Sequence, residues 1–271
     1  MVTNGVDQLI KNEQQLWSRI CEEAQNESEL EPVLASFYHA NILSQRCLGD
    51  AVAAHIASKL ANKSVSAMLI CQVFKEAMAN DAEIMSSICK DIIAWRTRDP
   101  ACDHYSMPLL YFKGFQALQA YRIAHWLWKK DRRLLALFLQ SRISAVFDVD
   151  IHPAAAIGFG IMIDHATGVV IGETAILGNN VSLLHSVTLG GCGSGDGRRH
   201  PVVADGVLVS TGAKLLGNIK IGQGAKIAAG SVVLNDVEAH VTVAGVPAKV
   251  VGKPSAKQPA LDMNQQINDT C

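Results

Sequence analysis

Between residues 148 and 191, aliphatic or small side chains recur at every sixth position: Ile151, Ile157, Ile163, Val169, Ala175, Val181 and Val187. A second series, Ile171, Leu177, Leu183 and Leu189, runs two residues behind the first. After a glycine-rich interruption the period resumes at Val203, Val209, Leu215, Ile221, Ile227 and Val233. An α-helix repeats about every 3.6 residues and a half-buried strand about every 2. A sustained period of six instead marks a hexapeptide repeat, and with it a parallel β-helix: a prism of short strands turning at its corners. Gly158, Gly172, Gly178, Gly212, Gly224 and Gly230 suit those corners. With about 18 residues per coil, residues 148–252 hold roughly five coils stacked about 4.8 Å apart.

Ahead of the prism the spacing is helical. Apolar positions three and four apart, among strong helix formers, run through LIKNEQQLWSRICEEAQ (9–25), LASFYHANIL (34–43), DAVAAHIASKLA (50–61), VSAMLICQVFKEAMA (65–79), DAEIMSSICKDIIAWRTR (81–98), PLLYFKGFQALQAYRIAHWLWKK (108–130) and RRLLALFLQSRISAVF (132–147). Asn26–Pro32 reads as a turn with Pro32 opening the next helix, Asp81 as an N-cap, and Pro100 and Pro108 as the ends of a loop, 99–107. All four Trp and all four Tyr precede residue 130, and of the 21 Gly only Gly5, Gly49 and Gly114 precede residue 150. The expected organisation is α+β: an all-helical domain (1–147), a β-helix (148–252) interrupted by the loop GGCGSGDGRRHP (190–201), and a polar, flexible tail (253–271).

Composition narrows the function. A formal net charge of −1 gives no reason to expect nucleic acid as a partner. No apolar run is long enough to span a bilayer and no basic-plus-apolar leader opens the chain. The seven Cys are scattered and odd in number, with no CxxC pair, which suits reduced thiols in a cytoplasmic protein and not a zinc site or a disulfide frame.

Two places carry candidate chemistry. His165, in MIDHATG, lies at or beside a corner next to the inward Ile163. Histidine exchanges a proton near neutral pH, and a carboxylate from Asp148, Asp150 or Asp164 would fix its tautomer. The plainer alternative is a turn histidine bonded to backbone. The other place is the 190–201 loop, which ends in the basic cluster Arg198, Arg199 and His200. A loop thrown out of a rigid prism is a favoured position for function.

The runs RDPACDHYSMPLLYFKGFQALQAYRIAHWLW (98–128), VDIHPAAAIGFGIMIDHATGVVIGETA (149–175), SVTLGG followed by RRHP, GAKLLGNIKIGQGAKIAAGSVVL (212–234) and VAGVPAKVVG (243–252) closely resemble the serine O-acetyltransferases. The resemblance spans residues 10–255 and includes the helical domain. It implies a left-handed β-helix that forms a homotrimer with sites between neighbouring subunits, and helical domains that join two trimers into a hexamer. It implies transfer of acetyl from acetyl-CoA to the L-serine hydroxyl, giving O-acetyl-L-serine and CoA on the way to cysteine, with no tightly bound cofactor and no metal. His165 would be the general base, oriented by Asp150. Asp99 and Asp164 would hold the serine amino group, Arg199 and His200 its carboxylate, and Glu173 would join them. Without the resemblance, Asp99 before Pro100 reads as a loop cap. The CoA arm would pair with backbone near Gly191, Thr211 and Ala229, and Lys226 would meet a phosphate, or else sit as a solvated corner. His185 is expected outward near the acyl site or as a structural residue, and His152 as structural. L-cysteine, which differs from serine in one group, would inhibit at the same site. Two positions depart from the family pattern. Arg198 stands where an acidic residue is common. The tail ends Asn268-Asp-Thr-Cys271 in place of the Gly-Ile that engages O-acetylserine sulfhydrylase, which argues against that partner.

Three rivals remain in view: another hexapeptide-prism acyltransferase with a different acceptor, a prism carbonic anhydrase gathering His165, His185 and His200 on zinc, and a catalytically silent assembly scaffold.

Overall fold

The computed structural model describes residues 12–193 and 197–267. Eight helices form the first half: α1 (Glu13–Leu30), α2 (Ala35–Tyr38), α3 (Leu48–Leu60), α4 (Ala67–Asn80), α5 (Ala82–Arg98), α6 (Ser106–Tyr111), α7 (Lys113–Lys129) and α8 (Arg133–Phe147). Asn12 and Asp81 cap α1 and α5 through their side chains. The turn expected at Asn26 is absent. The first helix continues to Leu30, helped by Gln25 donating to Glu29 at 2.6 Å, and breaks at Glu31, the residue that Pro32 disfavours for helix. Pro108 likewise sits inside the first turn of α6, where a missing N–H costs nothing. Every residue from Gly114 to Ala124 of α7 is buried, so this helix is the axis around which the others pack.

The strands form the three faces of a prism. The first face stacks Val149–Ile151, Val169–Ile171, Thr188–Gly190, Lys214–Leu216 and Val232–Val233. The second stacks Ala156–Ile157, Ile176–Leu177, Val202–Val203 and Lys220–Ile221. The third stacks Met162–Ile163, Ser182–Leu183, Leu208–Val209, Lys226–Ile227 and Thr242–Gly245, all parallel, and closes with the antiparallel Ala248–Gly252.

The register corrects the reading of the repeat. Ile171 pairs with Leu189, and Leu215 with Val233, each a step of 18 residues, but Ile151 pairs with Ile171, a step of 20. The first coil therefore carries two extra residues at the corner 164–168. Two is also the offset between the two inward positions of each hexapeptide. The series Ile151, Ile157, Ile163, Val169 keeps its period of six while changing position in the coil, so the insertion leaves no trace in the pattern. The 190–201 loop shows as a longer step, Leu189 to Leu215.

The helical block is fastened to the prism by buried polar contacts. Asp91 accepts from Arg122 at 2.7 Å, from Gln119 at 3.0 Å and from the Ile161 backbone at 2.9 Å, while Arg122 also donates to the Gly158 carbonyl at 2.8 Å. A buried ion pair of this kind costs about 3–5 kcal/mol to break from one side. Gly114 makes the closest approach: a Cβ there would lie 2.0 Å from the Ile163 carbonyl oxygen and 3.0 Å from the Ala166 Cβ.

The tail, expected to be flexible, lies along the third face as far as it is described. Pro259 and Ala260 of α9 (Pro259–Asp262) are buried, Ala260 N–H donates to Gly206, and Gln258 packs where a Gly206 Cβ would stand. Its anchors are Pro259 and Ala260, with Met263 packed against the core, a short apolar group that the surrounding Lys, Gln and Asn conceal. Asn268–Cys271, on which the expectation about O-acetylserine sulfhydrylase turns, lie outside the described residues, as do Ser194–Asp196 of the loop.

Candidate active site

The two added residues at the corner between the third and first faces produce a tight left-handed turn. His165 (φ 55°) and Ala166 (φ 59°) both have positive φ, unusual for residues with a Cβ. Ala166 is buried under α7, and Lys113 donates to the Thr167 hydroxyl at 2.6 Å. Held from behind, the turn thrusts the His165 side chain outward, 74% exposed, with Nε2 3.8 Å from Asp164. Burial pushes the Asp164 carboxyl above the usual range; His165 pulls it back, and the nearby Asp99 carboxylate raises it again. Asp99 is the C-cap of α5, and its carboxylate accepts from the Ala101 N–H at 2.9 Å. The loop-cap role and the place beside Asp164 therefore coexist. His185 is one coil on, its ring 5.8 Å from that of His165. Thr211 and Ala229 continue the column, through Gly212 N–H to the His185 carbonyl and Gly230 N–H to the Thr211 carbonyl.

A second cluster occupies the corner between the first and second faces. Thr174 is its hub. The Thr174 hydroxyl accepts from the Arg199 and His200 backbone N–H groups at 3.0 and 3.2 Å and lies 2.9 Å from His200 Nδ1, to which the Thr174 N–H also donates. Nδ1 is thus an acceptor, and the His200 proton belongs on Nε2. Burial, then the Arg199 charge, lower the His200 pKa, so the ring is a neutral donor. It packs closely on glycine: a Cβ on Gly172 would lie 2.0 Å from Nε2, and one on Gly191 3.0 Å. The Arg199 guanidinium pairs with Glu173 and holds that carboxyl below its usual range. On the outer side of the first face, Asp150 accepts from Gln140 of α8 at 2.7 Å, and burial lowers the His152 pKa against the opposing pull of Glu173 and Asp150.

Comparison with known proteins places the chain in a family. The family described as "Serine acetyltransferase, N-terminal" matches residues 16–120. The serine acetyltransferase of Escherichia coli K12 is 56% identical over 253 residues, covering 93% of each chain. The crystal structure of the Vibrio cholerae serine acetyltransferase superposes with a TM-score of 0.93 at 52% identity, over 95% of this chain and 100% of that one. A serine acetyltransferase solved in complex with cysteine gives 0.92 at 51% identity, over 94% and 99%. The chain belongs to the serine acetyltransferase family.

As a serine acetyltransferase, the chain carries the expected residues in two separate sets. Asp99, Asp164, His165, Thr211 and Ala229 share the corner between the third and first faces. Glu173, Gly191, Arg199 and His200 share the next corner, with Asp150 on the face beside them. Roughly 13 Å of extended chain, Gly168–Gly172, runs between the corners. Within one chain, the carboxylate near His165 is Asp164, and Asp150 is turned to Gln140. Lys226 stands apart on the third face, 3% exposed, donating to the Gln266 carbonyl of the tail. Among the described residues no three of His, Cys, Asp and Glu gather to hold a metal ion, and His200 is a corner away from the His165–His185 pair. Thr174, Gln140 and Gly114 were not singled out from sequence. Thr174 had a signal in its place beside Glu173 within a corner; an isolated helical Gln and a glycine near a helix start had none.

Proposed function

We propose that the acetyl transfer from acetyl-CoA to L-serine takes place at a site completed by two copies of the chain, arranged as a homotrimer around the prism. The observation that carries this is the division of charge: the imidazole and two carboxylates on one corner, the guanidinium and a donor imidazole on another. A zwitterion needs both. Serine bound between copies has its ammonium between Asp99 and Asp164 and its carboxylate on Arg199 and His200 Nε2–H of the neighbour. His165, its ring oriented by Asp150 of that neighbour, takes the hydroxyl proton as the oxygen attacks the thioester carbonyl. The tetrahedral intermediate collapses with loss of the CoA thiolate, which receives the same proton from His165. No covalent enzyme intermediate forms, and a positioned base contributes about 10²–10⁴-fold, with alignment of both substrates supplying more. Acetyl-CoA lies in the groove beside the Thr211–Ala229 column. Relatives solved with CoA and with serine support this assignment of ligands. L-cysteine, sharing the ammonium and carboxylate, competes for the same groups, and the pairing of two trimers through the helical blocks belongs to the same reading.

The test is CoA release from acetyl-CoA with L-serine as acceptor, with O-acetyl-L-serine detected separately, repeated with L-cysteine present. Serine-dependent release suppressed by cysteine is expected. Equal release with ethanolamine, which lacks the carboxylate, would remove the Arg199–His200 role.

A further inference from the structure

The residue before Asp99 has a side chain with an unusual destination. Arg98 ends α5, yet its guanidinium leaves the helical block and enters the prism, where it is 6% exposed. Nη1 donates to the Ser182 hydroxyl and Nη2 to the Asn180 side-chain oxygen, each at 3.1 Å. Ser182 gives its own proton to the Ala260 carbonyl at 2.9 Å, so toward Arg98 it can only accept. Both hydrogen-bond partners are neutral, Arg98 Nε is buried with no hydrogen-bond partner among the described residues, and the Asp91 carboxylate, already paired with Arg122, offsets the burial only in part. Burial of the charge lowers the Arg98 pKa to about 10. An apolar side chain of similar length would fill the space at lower desolvation cost, so stability alone is a poor reason for an arginine here.

The adjoining backbone supplies a better reason. Asp99 is the first residue beyond the helix: its N–H donates to Trp95, and Pro100 stops the helix from continuing. Wherever the end of α5 stands, the Asp99 carboxylate stands with it. Arg98 is the last side chain tying that end to the prism, and it is tied to the coil next to the one that carries Asp164. We propose that Arg98 is a positioning residue for the amino-group end of the serine site, setting the distance between Asp99 and Asp164 so that one ammonium fits both. The inference rests on the assignment of Asp99 to serine and adds a residue that touches no substrate.

The test measures steady-state kinetics on the full-length oligomer for Arg98→Met, Arg98→Lys, Asp99→Asn and the Met–Asn double variant. Arg98→Met raises the serine KM about tenfold or more while kcat and the acetyl-CoA KM move less than about threefold, and Arg98→Lys recovers part of the loss. The double variant is no worse than the worse single one, because both act on one contact. Inhibition by L-cysteine weakens in the same proportion as the serine KM rises. Multiplying effects in the double variant, or an acetyl-CoA KM that rises alongside that of serine, would overturn the proposal. An unchanged serine KM in Asp99→Asn would instead sink the assignment of Asp99, and this proposal with it. Should Arg98→Met fail to fold, Asn180→Gly serves: Asn180 has φ 54°, which glycine adopts freely, so only the acceptor is lost. A rise of a few-fold in serine KM alone supports the proposal, and no change contradicts it.

Discussion

The two corners to which the proposed reaction assigns the chemistry are built in opposite ways. The His165 corner is held from behind by another domain, with Gly114 of α7 against its backbone and Lys113 on Thr167, and it is rigid because no side chain fits between. The Arg199–His200 corner is held from within, by one threonine hydroxyl, one half-buried ion pair and the close contact of an imidazole on glycine. The difference suits the tasks proposed for the two corners. A base must meet one proton at a fixed distance, and preorganisation there acts on the transition state. A carboxylate clamp must admit and release a substrate, so a loop with a few weak ties serves it better.

Removing the base gives the largest effect: His165→Ala lowers kcat at least about 100-fold with unchanged circular dichroism and oligomeric mass, and near-normal turnover would take His165 out of the mechanism. Next comes the rigid support. Gly114→Ala forces α7 off the Ile163 carbonyl, and the expected result is a lower Tm together with a fall in kcat of about tenfold; an unaffected kcat would mean that the corner holds its own shape. The loose corner responds differently. Thr174→Val removes a hydrogen-bond hub, raising the serine KM about tenfold, the equivalent of about 1.4 kcal/mol, while Tm and the acetyl-CoA KM hardly move; a large loss of Tm would show that the loop, too, is structural.

The smallest effect is a difference in acid response. Asp164, raised by burial and by Asp99, protonates above the usual carboxylate range, whereas Glu173, lowered by Arg199, stays ionised below it. The Glu173–Arg199 tie, with its folded value depressed, is present above the unfolded carboxyl pKa and lost as pH falls through the folded one. On acidification the serine KM should therefore rise before the 190–201 loop becomes sensitive to limited proteolysis. Loop cleavage appearing first would reverse the order of the two corners.

Much of this was legible in the chain. The prism announced itself because both inward positions of each hexapeptide are aliphatic or small, so the period survives a two-residue insertion at a corner. For the same reason the two-residue insertion carrying His165 was invisible: its length equals the offset between Val149-type and Ile151-type positions. The first helix overran its expected end because Glu-, Gln- and Ser-rich sequence suits a solvated helix as well as a turn, and Pro32, beyond that stretch, decided the matter. Arg98 was unreadable as anything but a helix-end cation, since its partners Asn180 and Ser182 are more than 80 residues away. The candidate chemistry-bearing residues were named as a set only through resemblance; their separation into two corners needed the fold.

The central claim, that the site is shared between copies, has a direct test in mixed oligomers. His165→Ala and Arg199→Ala chains, each defective alone, are co-expressed with different tags, and the doubly tagged trimers are isolated and assayed for serine-dependent CoA release. If each site takes its base from one chain and its guanidinium from the next, a cyclic trimer holding both kinds of chain has about one third of its sites with both groups intact, and activity rises to about that fraction of the wild-type value. Activity no greater than that of the two defective homotrimers would mean that both corners of one chain serve the same site, and the account would be wrong.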